Sequence, residues 1–161
     1  MTEIVKRISI TAPKDKVWKT IADFGGVAKW APTLAESHSI GASQGVGAKR
    51  ALTLHSGEVT EELVVAWDEG HSFTFEIPAG LKPVETLSET WAVESIAEDA
   101  RVTVRMHYKP RWGLGGIILD YLAIRPTLSN LLIQNLAGLK YHVETGKNVT
   151  KTTDLPVSAV T

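Results

Sequence analysis

Two adjoining stretches near the C-terminus carry the strongest structural signal: ARVTVRMHYK (residues 100–109) and IILDYLAIRPTLSNLLIQNLAGLKYHVET (residues 117–145). The first alternates apolar and polar side chains, as a strand with one buried face does. The second carries leucines at helical spacing, with Pro126 predicting a bend or break near its start and Gly146 predicting its end. A long amphipathic helix that follows a strand predicts a helix packed on one face of a sheet.

The region upstream of these stretches predicts about six strands between residues 34 and 109. Tight turns are expected at residues 55–58 and 68–71, and residues 78–83 are expected to form a stiff loop bracketed by prolines. Sequential strands joined by such turns build one antiparallel sheet.

The N-terminal region predicts one further strand over residues 2–11, followed by a short helix with Pro13 at its start. The Gly25-Gly26 pair ends that helix, and Pro32 limits the next helical segment to a short turn. The order of elements is therefore a strand, two short helices, about six strands and one long helix.

This order predicts an α+β domain over residues 1–146, in which a curved antiparallel sheet of about seven strands wraps around the long C-terminal helix. Such an arrangement often encloses an apolar cavity between sheet and helix. Residues 147–161 are polar, β-branched and interrupted by proline, so we expect a mobile tail.

The composition is that of an ordinary globular chain, with 161 residues, 43% hydrophobic and 22% charged. The 17 Lys and Arg against 18 Asp and Glu give a net charge of -1, which offers no general attraction for nucleic acid. Cysteine is absent, so disulfides and thiolate chemistry are excluded. No apolar run is long enough to span a bilayer and no signal core begins the chain, so we expect a cytoplasmic protein without a membrane span.

Sequence motifs for several common chemistries are missing. The five histidines have no metal-ligand spacing, the glycines at residues 41–47 do not form a phosphate loop, and no GxSxG nucleophile motif occurs. We therefore expect no metal and no cofactor.

Several short motifs occur in a telling order: Ala12-Pro13, Val17-Trp18, Asp23-Phe24, Trp30-Ala31-Pro32, the Gly-rich turn at 45–50, Gly57 with Glu61-Glu62-Leu63, and Leu136-Ala137-Gly138-Leu139-Lys140. Together they resemble the START/SRPBCC helix-grip superfamily, which includes polyketide cyclase/dehydrase, lipid-transport and birch-pollen-allergen-type proteins. The resemblance covers roughly residues 3–145. It implies a helix-grip fold with a ligand-binding cavity, and it does not fix one activity.

Strand parity places charged side chains among the apolar ones that would line this cavity. If Leu52 and Leu54 face inward, so does Arg50, and the following turn brings Glu61 within its reach. Because a buried unpaired charge is costly, we expect an Arg50–Glu61 pair, with Glu62 as the alternative to Glu61. The pair is either an anchor for a polar group of the ligand or a structural ion pair at the rim of the sheet.

A second pair of candidates lies on the last two strands. A two-residue turn at Glu98-Asp99 would place Glu89 opposite Tyr108 and Trp91 opposite Met106, all facing inward. A buried Glu89 would have a raised pKa and could act as a general acid or base, with Tyr108 orienting it or polarising a carbonyl. The alternative is a hydrogen bond that simply satisfies both groups.

Aromatic side chains are expected to supply flat apolar walls for a ligand. Trp30, Trp67, Phe75 and Trp91 lie on or beside the inward faces, and Trp112 lies in a Gly-rich loop near the expected mouth of the cavity. For Trp112 the alternative is a surface side chain that packs beneath its own loop.

The loops at residues 78–83 and 111–116 are expected to flank the entrance, the first stiffened by prolines and the second loosened by glycines. From the start of the long helix, Ile118, Tyr121 and Leu122 are expected to reach the cavity or its mouth.

These features predict a protein that encloses a small hydrophobic molecule, aromatic or polyketide-like, between the sheet and the long helix. One alternative is an enzyme of the polyketide cyclase/dehydrase type that uses Glu89 and Tyr108 for acid–base chemistry. Another is a protein-interaction module, which an apolar patch outside the cavity would favour. The sequence leaves open whether the chain is a monomer or a homodimer.

Overall fold

The computed structural model describes residues 1–78, 82–111, 115 and 120–161. Within these residues, seven strands form a single antiparallel sheet: β1 (Thr2–Ile10), β2 (Leu34–Ile40), β3 (Lys49–Leu54), β4 (Val59–Asp68), β5 (Ser72–Glu76), β6 (Val84–Ile96) and β7 (Asp99–Pro110). Their order in the sheet is β1-β7-β6-β5-β4-β3-β2. Every pair but β1–β7 joins strands that are neighbours in sequence, as strands linked by short turns require.

Helices cover the inner face of this sheet. They are α1 (Lys14–Ala22), a 3-10 helix (Phe24–Lys29), a π-helical turn (Asp120–Ile124) and α2 (Arg125–Thr145), which continues directly from that turn. Pro126 lies in the first turn of α2, directly after the π-helical turn, and the chain stays helical on both sides of it. Gly146 ends α2 in the left-handed conformation, with φ at 72°. No helix in these residues is long and apolar enough to cross a membrane.

The helix-grip fold predicted from the sequence is confirmed: a seven-stranded antiparallel sheet curves around the long C-terminal helix. The buried side of α2 carries Leu128, Leu132, Leu136 and Leu139, which join the core formed by the inward residues of the sheet. Burial of this stripe drives the packing, because apolar area removed from water contributes about 25 cal/mol per Å².

The contact between α2 and the segment before β2 is unusually close. At Gly138, an added Cβ would overlap the carbonyl oxygen of Trp30 and press on the ring of Pro32. Only a glycine lets the helix backbone approach this segment so closely. The contact fixes the distance between α2 and the wall that Trp30 provides.

A β-bulge in β4 decides which of its side chains face inward. Its register with β5 shifts between Val64 and Ala66, so Glu62 and Val64 face the core before the bulge and Trp67 turns toward it afterwards. Val65, at the bulge, is exposed and does not face the core.

The C-terminal segment, predicted to be a mobile tail, lies against the domain in the structure. Val149 is buried and donates its backbone N–H to the carbonyl oxygen of Lys29 at 2.8 Å. Farther along, Thr161 and Arg7 of β1 exchange two backbone hydrogen bonds of 2.8 and 2.9 Å. Polar composition alone predicted mobility, whereas single apolar residues such as Val149 and Val160 hold the segment on the core.

Candidate functional site

A cavity of about 80 Å³ lies between the sheet and α2. Its walls are mostly apolar, and the polar side chains that reach it are Thr33, Arg50, Thr60, Glu62, Glu89 and Asn135. Leu34, Leu54 and Leu131 also line it and are only partly buried, so part of the cavity wall borders solvent. The enclosed space is below the roughly 300 Å³ at which ordinary ligand pockets begin, so a ligand larger than a single ring must displace side chains.

Arg50 and Glu62 form a buried ion pair on the floor of this cavity. They face each other across β3 and β4, and the two residues are 5% and 6% exposed. The Arg50 Nε and Nη2 atoms both approach Glu62 Oε2 at 2.5 Å, and Nη1 donates to the carbonyl oxygen of Phe24 at 2.8 Å. Burial raises the pKa of Glu62, and the adjacent guanidinium opposes that rise.

Of the two candidate partners of Arg50, the favoured Glu61 is exposed, and the alternative, Glu62, faces inward and forms the pair. The cause is the β3–β4 turn, which has three residues between Leu54 and Glu58, whereas a tight turn over residues 55–58 has two central residues. Gly57 takes the left-handed conformation that closes such a three-residue loop, with φ at 87°. The extra residue in the turn shifts the pairing of β4 by one position, so its inward-facing and outward-facing side chains are exchanged.

Two aromatic rings shield the guanidinium of Arg50. Its central carbon lies 3.8 Å from the centroid of the Phe24 ring and 5.0 Å from that of Phe75. Both distances allow cation–π attraction, which is stronger away from water. Arg50 is therefore held by Glu62, by a backbone carbonyl and by aromatic faces before any ligand arrives.

Glu89 on β6 is the third ionisable side chain of the cavity, and it is 7% exposed. Among the described residues its carboxylate has one hydrogen-bond donor, the Trp91 Nε1–H at 3.0 Å. Burial, and next the charge of Glu62, raise the pKa of Glu89 to about 7, while Trp91 and Arg50 oppose the rise. At neutral pH both the acid and the carboxylate are therefore populated.

The predicted pairing of Glu89 with Tyr108 is wrong by two residues. Glu89 lies opposite Met106, and Tyr108 lies opposite Leu87. The turn between β6 and β7 is Ala97-Glu98, one residue earlier than predicted, with Ala97 in the left-handed region at φ 53°. Moving a turn by one residue shifts the register by two, which preserves the faces and changes the partners.

Tyr108 is not among the residues that line the cavity, and it anchors the helical turn that precedes α2. It is fully buried, and its hydroxyl donates to Asp120 Oδ1 at 2.6 Å. Thr2 donates to the other oxygen of the same carboxylate at 3.2 Å. Burial and the hydrogen bond to Asp120 raise the pKa of Tyr108 above its ordinary value, so the phenol stays protonated at neutral pH.

The aromatic predictions divide into two groups. Trp30, Phe75 and Trp91 line the cavity together with Met106, and the rings of Trp30 and Trp91 lie 5.3 Å apart at 59°. The Nε1–H of Trp30 is the buried side-chain polar group that has no hydrogen-bond partner within the described part of the chain. This free donor belongs to a residue of the cavity wall.

The other predicted lining residues lie outside the cavity or outside the described residues. Trp67 stacks on Phe73 at 5.6 Å and donates to Glu69, outside the cavity. Leu122 is 70% exposed and does not line the cavity, because the π-helical turn presents it to solvent. Trp112, Ile118 and the side chain of Tyr121 lie outside the described residues.

Sequence reasoning missed three polar lining residues, Thr33, Thr60 and Asn135. Asn135 lies on α2 with Leu128 and Leu131, seven and four residues before it, and accepts a hydrogen bond from Thr33 Oγ1 at 3.0 Å. An asparagine inside an apolar helical stripe is the sequence signal that would have identified it. Among the described residues, no three His, Asp or Glu side chains come together in a cluster that could hold a metal ion.

Comparison with known proteins agrees with this architecture. A family model described as polyketide cyclase / dehydrase and lipid transport matches residues 1–144. No match to the sequence was found among curated proteins.

Solved structures with the same fold share little sequence with this chain. XoxI from Bacillus cereus has a TM-score of 0.74 at 16% identity, covering 90% of this chain and 97% of its own. The di-domain ARO/CYC protein BexL from the BE-7585A biosynthetic pathway has a TM-score of 0.72 at 20% identity, covering 89% and 47%. For Ara h 8.0201 the TM-score is 0.66 at 13% identity, covering 89% and 98%.

At such identities these structures establish the fold alone. The family model shows more than the fold, namely the family, because its match spans nearly the whole domain, from β1 to the end of α2. The chain therefore belongs to the polyketide cyclase / dehydrase and lipid transport family.

Proposed function

We propose that this protein binds a small hydrophobic molecule with a polar group in the cavity between the sheet and α2. The observation that carries the proposal is the group of Arg50, Glu62, Glu89 and Trp91, called here the cavity cluster, which lies inside otherwise apolar walls. Buried charges are costly, and a carboxyl with one partner gains from a second one. Membership of a family named for polyketide cyclisation and lipid transport supports the same class of ligand.

Apolar contact would supply most of the affinity, and the cavity cluster would supply orientation. The rings of Trp30, Phe75 and Trp91 offer flat surfaces, and each Å² of apolar area removed from water contributes about 25 cal/mol before ordering costs. A ligand beyond one ring would enter by moving the partly buried leucines, of which Leu131 stands on α2.

Native mass spectrometry of freshly purified protein, followed by denaturing extraction, tests this proposal directly. We expect a stoichiometric hydrophobic molecule, or a one-to-one adduct after incubation with para-fluoroacetophenone, a single ring with one carbonyl. If the purified protein retains no molecule and also forms no adduct with para-fluoroacetophenone, that result would contradict the proposal.

A pair of matched variants locates the binding. Leu131→Phe fills space in the cavity, whereas Leu122→Phe adds the same ring at an exposed position outside it. We expect Leu131→Phe to abolish the adduct and Leu122→Phe to keep it. Leu54→Phe, at a second partly buried lining position, serves as a further blocking variant if Leu131→Phe folds poorly. An adduct that persists in both blocking variants would mean binding at another place.

A second candidate function is acid–base catalysis, as in a cyclase or dehydratase, and the pKa of Glu89 near 7 favours it. The Glu89 carboxylate would take a proton from the carbon beside a ligand carbonyl. The resulting carbanion would attack a second carbonyl of the same molecule and form a carbon–carbon bond. Glu89 would then return the proton to the new alkoxide oxygen, which leaves the carboxylate as it began.

Deuterium exchange tests this chemistry without knowledge of the natural substrate. In heavy water, we expect protein-dependent deuterium uptake at the methyl group of para-fluoroacetophenone, measured by mass spectrometry. Glu89→Gln should abolish the uptake and keep binding, while Glu94→Gln, an exposed position on the same strand, should keep both. Equal uptake in wild type and Glu89→Gln would exclude Glu89 as the base.

A further inference from the structure

The cavity cluster contains more acid than base. Arg50 is its one cation among the described lining residues, and Glu62 already neutralises it. Glu89 adds a second carboxyl, whose ionisation would give the cluster a net negative charge. Around Glu89, β3 contributes Arg50 and β4 contributes Glu62, while the described lining residues of β5, β7 and α2 contribute no ionisable side chain.

This charge balance disfavours an anionic ligand. A carboxylate in the cavity would lie near two carboxyl groups in a low-dielectric space, where like charges repel strongly. Arg50 cannot compensate fully, because Glu62, the Phe24 carbonyl and the Phe24 and Phe75 rings already engage it. A protonated amine would meet a different obstacle. It would lose its hydration on entering the apolar cavity, and the attraction of one carboxylate would have to compensate for that cost.

The free hydrogen-bonding capacity points instead to an oxygen acceptor. Glu89 in its acid form carries an O–H that has no acceptor among the described residues, because its one partner, Trp91, is itself a donor. Trp30, on the same wall, adds a buried N–H without a partner. Each unsatisfied donor makes the binding of a ligand with an acceptor oxygen more favourable.

We propose that the cavity selects uncharged molecules that carry a hydrogen-bond-accepting oxygen, such as an aromatic ketone, over carboxylates and amines, and that Glu89 donates the hydrogen bond to this oxygen. This inference rests on the proposed ligand-binding function and narrows it to one chemical class. The pKa of Glu89 near 7 supports it, because the donor form is present at neutral pH.

Three probes with one ring and different charge test the inference by fluorine NMR: para-fluoroacetophenone, para-fluorobenzoate and para-fluorobenzylamine. At about pH 6 we expect the ketone to bind at least about tenfold more tightly than either ion, a ratio that corresponds to about 1.4 kcal/mol. From about pH 6 to about pH 8 its affinity should fall about tenfold, because the fraction of protonated Glu89 falls by that factor.

Two variants separate the hydrogen bond from general effects of pH. Glu89→Gln carries an amide that donates at every pH, so the ketone should still bind and the pH dependence should vanish. Glu94→Gln should behave as the wild type. Should Glu89→Gln fold poorly, wild-type protein still decides through the ranking of the three probes.

The outcomes distinguish the inference from the function beneath it. Tightest binding of benzoate or benzylamine, or a ketone affinity that does not change with pH in the wild type, would overturn the selection by Glu89 and leave ligand binding intact. Binding of none of the three probes, together with the absence of a retained molecule, would count against the proposed function itself.

Discussion

Glu89 and Tyr108 face the same side of neighbouring strands, yet their surroundings differ in kind. Tyr108 belongs to a set with Thr2 and Asp120, called here the helix anchor, in which the phenol donates at 2.6 Å to a carboxylate that also accepts from Thr2. Glu89 belongs to the cavity cluster and has one hydrogen bond, from Trp91 at 3.0 Å. In the helix anchor the phenol and the carboxylate hydrogen-bond to each other, whereas Glu89 in the cavity cluster has capacity for a further hydrogen bond.

The comparison teaches that burial alone does not identify a functional group. Both side chains are buried, and both have raised pKa values. They differ in what lies beside them, since Glu89 lines the cavity and Tyr108 is not among the described residues that line it. A buried polar group that is fully hydrogen-bonded stabilises the fold, whereas one beside a cavity with capacity left is a candidate for ligand contact.

The largest expected effect comes from breaking the cavity cluster at Arg50. Arg50→Met leaves Glu62 buried without its cation, and we expect the free energy of unfolding to fall by about 3–5 kcal/mol at about pH 8. The loss should be smaller at about pH 5, because a protonated Glu62 no longer needs a cation. Urea denaturation at both pH values measures this.

Two further variants control that experiment. Lys49→Met, at the exposed neighbouring position, should change the free energy of unfolding by less than about 0.5 kcal/mol. The double variant Arg50→Met, Glu62→Met should recover much of the lost stability, because no unpaired charge remains. A loss at Arg50 below about 1 kcal/mol at about pH 8 would mean that the pair is solvated.

The next effect concerns the sign of the pH dependence at Glu89. An unfolded glutamate ionises near pH 4.3, and folded Glu89 ionises near 7, so the folded state holds an extra proton between these values. Its contribution to stability is therefore greatest below the unfolded pKa and is lost as the pH rises through the folded pKa. From about pH 5 to about pH 8 we expect a loss of about 2–3 kcal/mol.

Glu89→Gln should remove this dependence, so the free energy of unfolding of the variant relative to wild type should rise with pH. Glu94→Gln, on the same strand and exposed, should show the wild-type profile. If Glu89→Gln and wild type lose stability in parallel, Glu89 ionises at an ordinary pH in the folded protein.

The smallest effect is expected at the helix anchor. Tyr108→Phe removes one hydrogen bond to Asp120, a half-buried carboxylate that water can reach, and should lower the free energy of unfolding by about 1 kcal/mol at every pH from about 5 to 8. Tyr141→Phe, at a half-buried tyrosine of α2, is the matched control, with a change below about 0.5 kcal/mol. Binding of para-fluoroacetophenone should stay unchanged in both, and a tenfold loss in Tyr108→Phe would remove the distinction between the two regions.

The fold could be predicted from the sequence because its signals are redundant. Alternating strands, a long helix after the last strand and the ordered motifs from Ala12-Pro13 to Lys140 all indicate one arrangement. No single misplaced turn changes that result, since strand order and helix packing tolerate a shift of one or two residues.

The site was only partly predictable, because partners depend on the number of residues in each turn. Arg50 and Glu89 were placed on the inward face correctly. The partner of Glu89 was wrong, and the partner of Arg50 is the alternative, Glu62, instead of the favoured Glu61. Ala97 in a left-handed conformation carries no recognisable sequence signal, since glycine or asparagine is usual there. The bulge at Val65 likewise reverses the parity of β4 without any proline or glycine to mark it.

The close contact at Gly138 has a consequence for how this cavity could change during evolution. A methyl group there would overlap the backbone at Trp30, so α2 and the cavity wall would have to separate. The absence of a side chain at position 138 thus sets the separation of α2 from the cavity wall, although Gly138 itself does not line the cavity. A single substitution at Gly138 would widen the cavity without changing any residue that a ligand touches. The size of ligand that the cavity accepts would then depend on a contact between backbone segments.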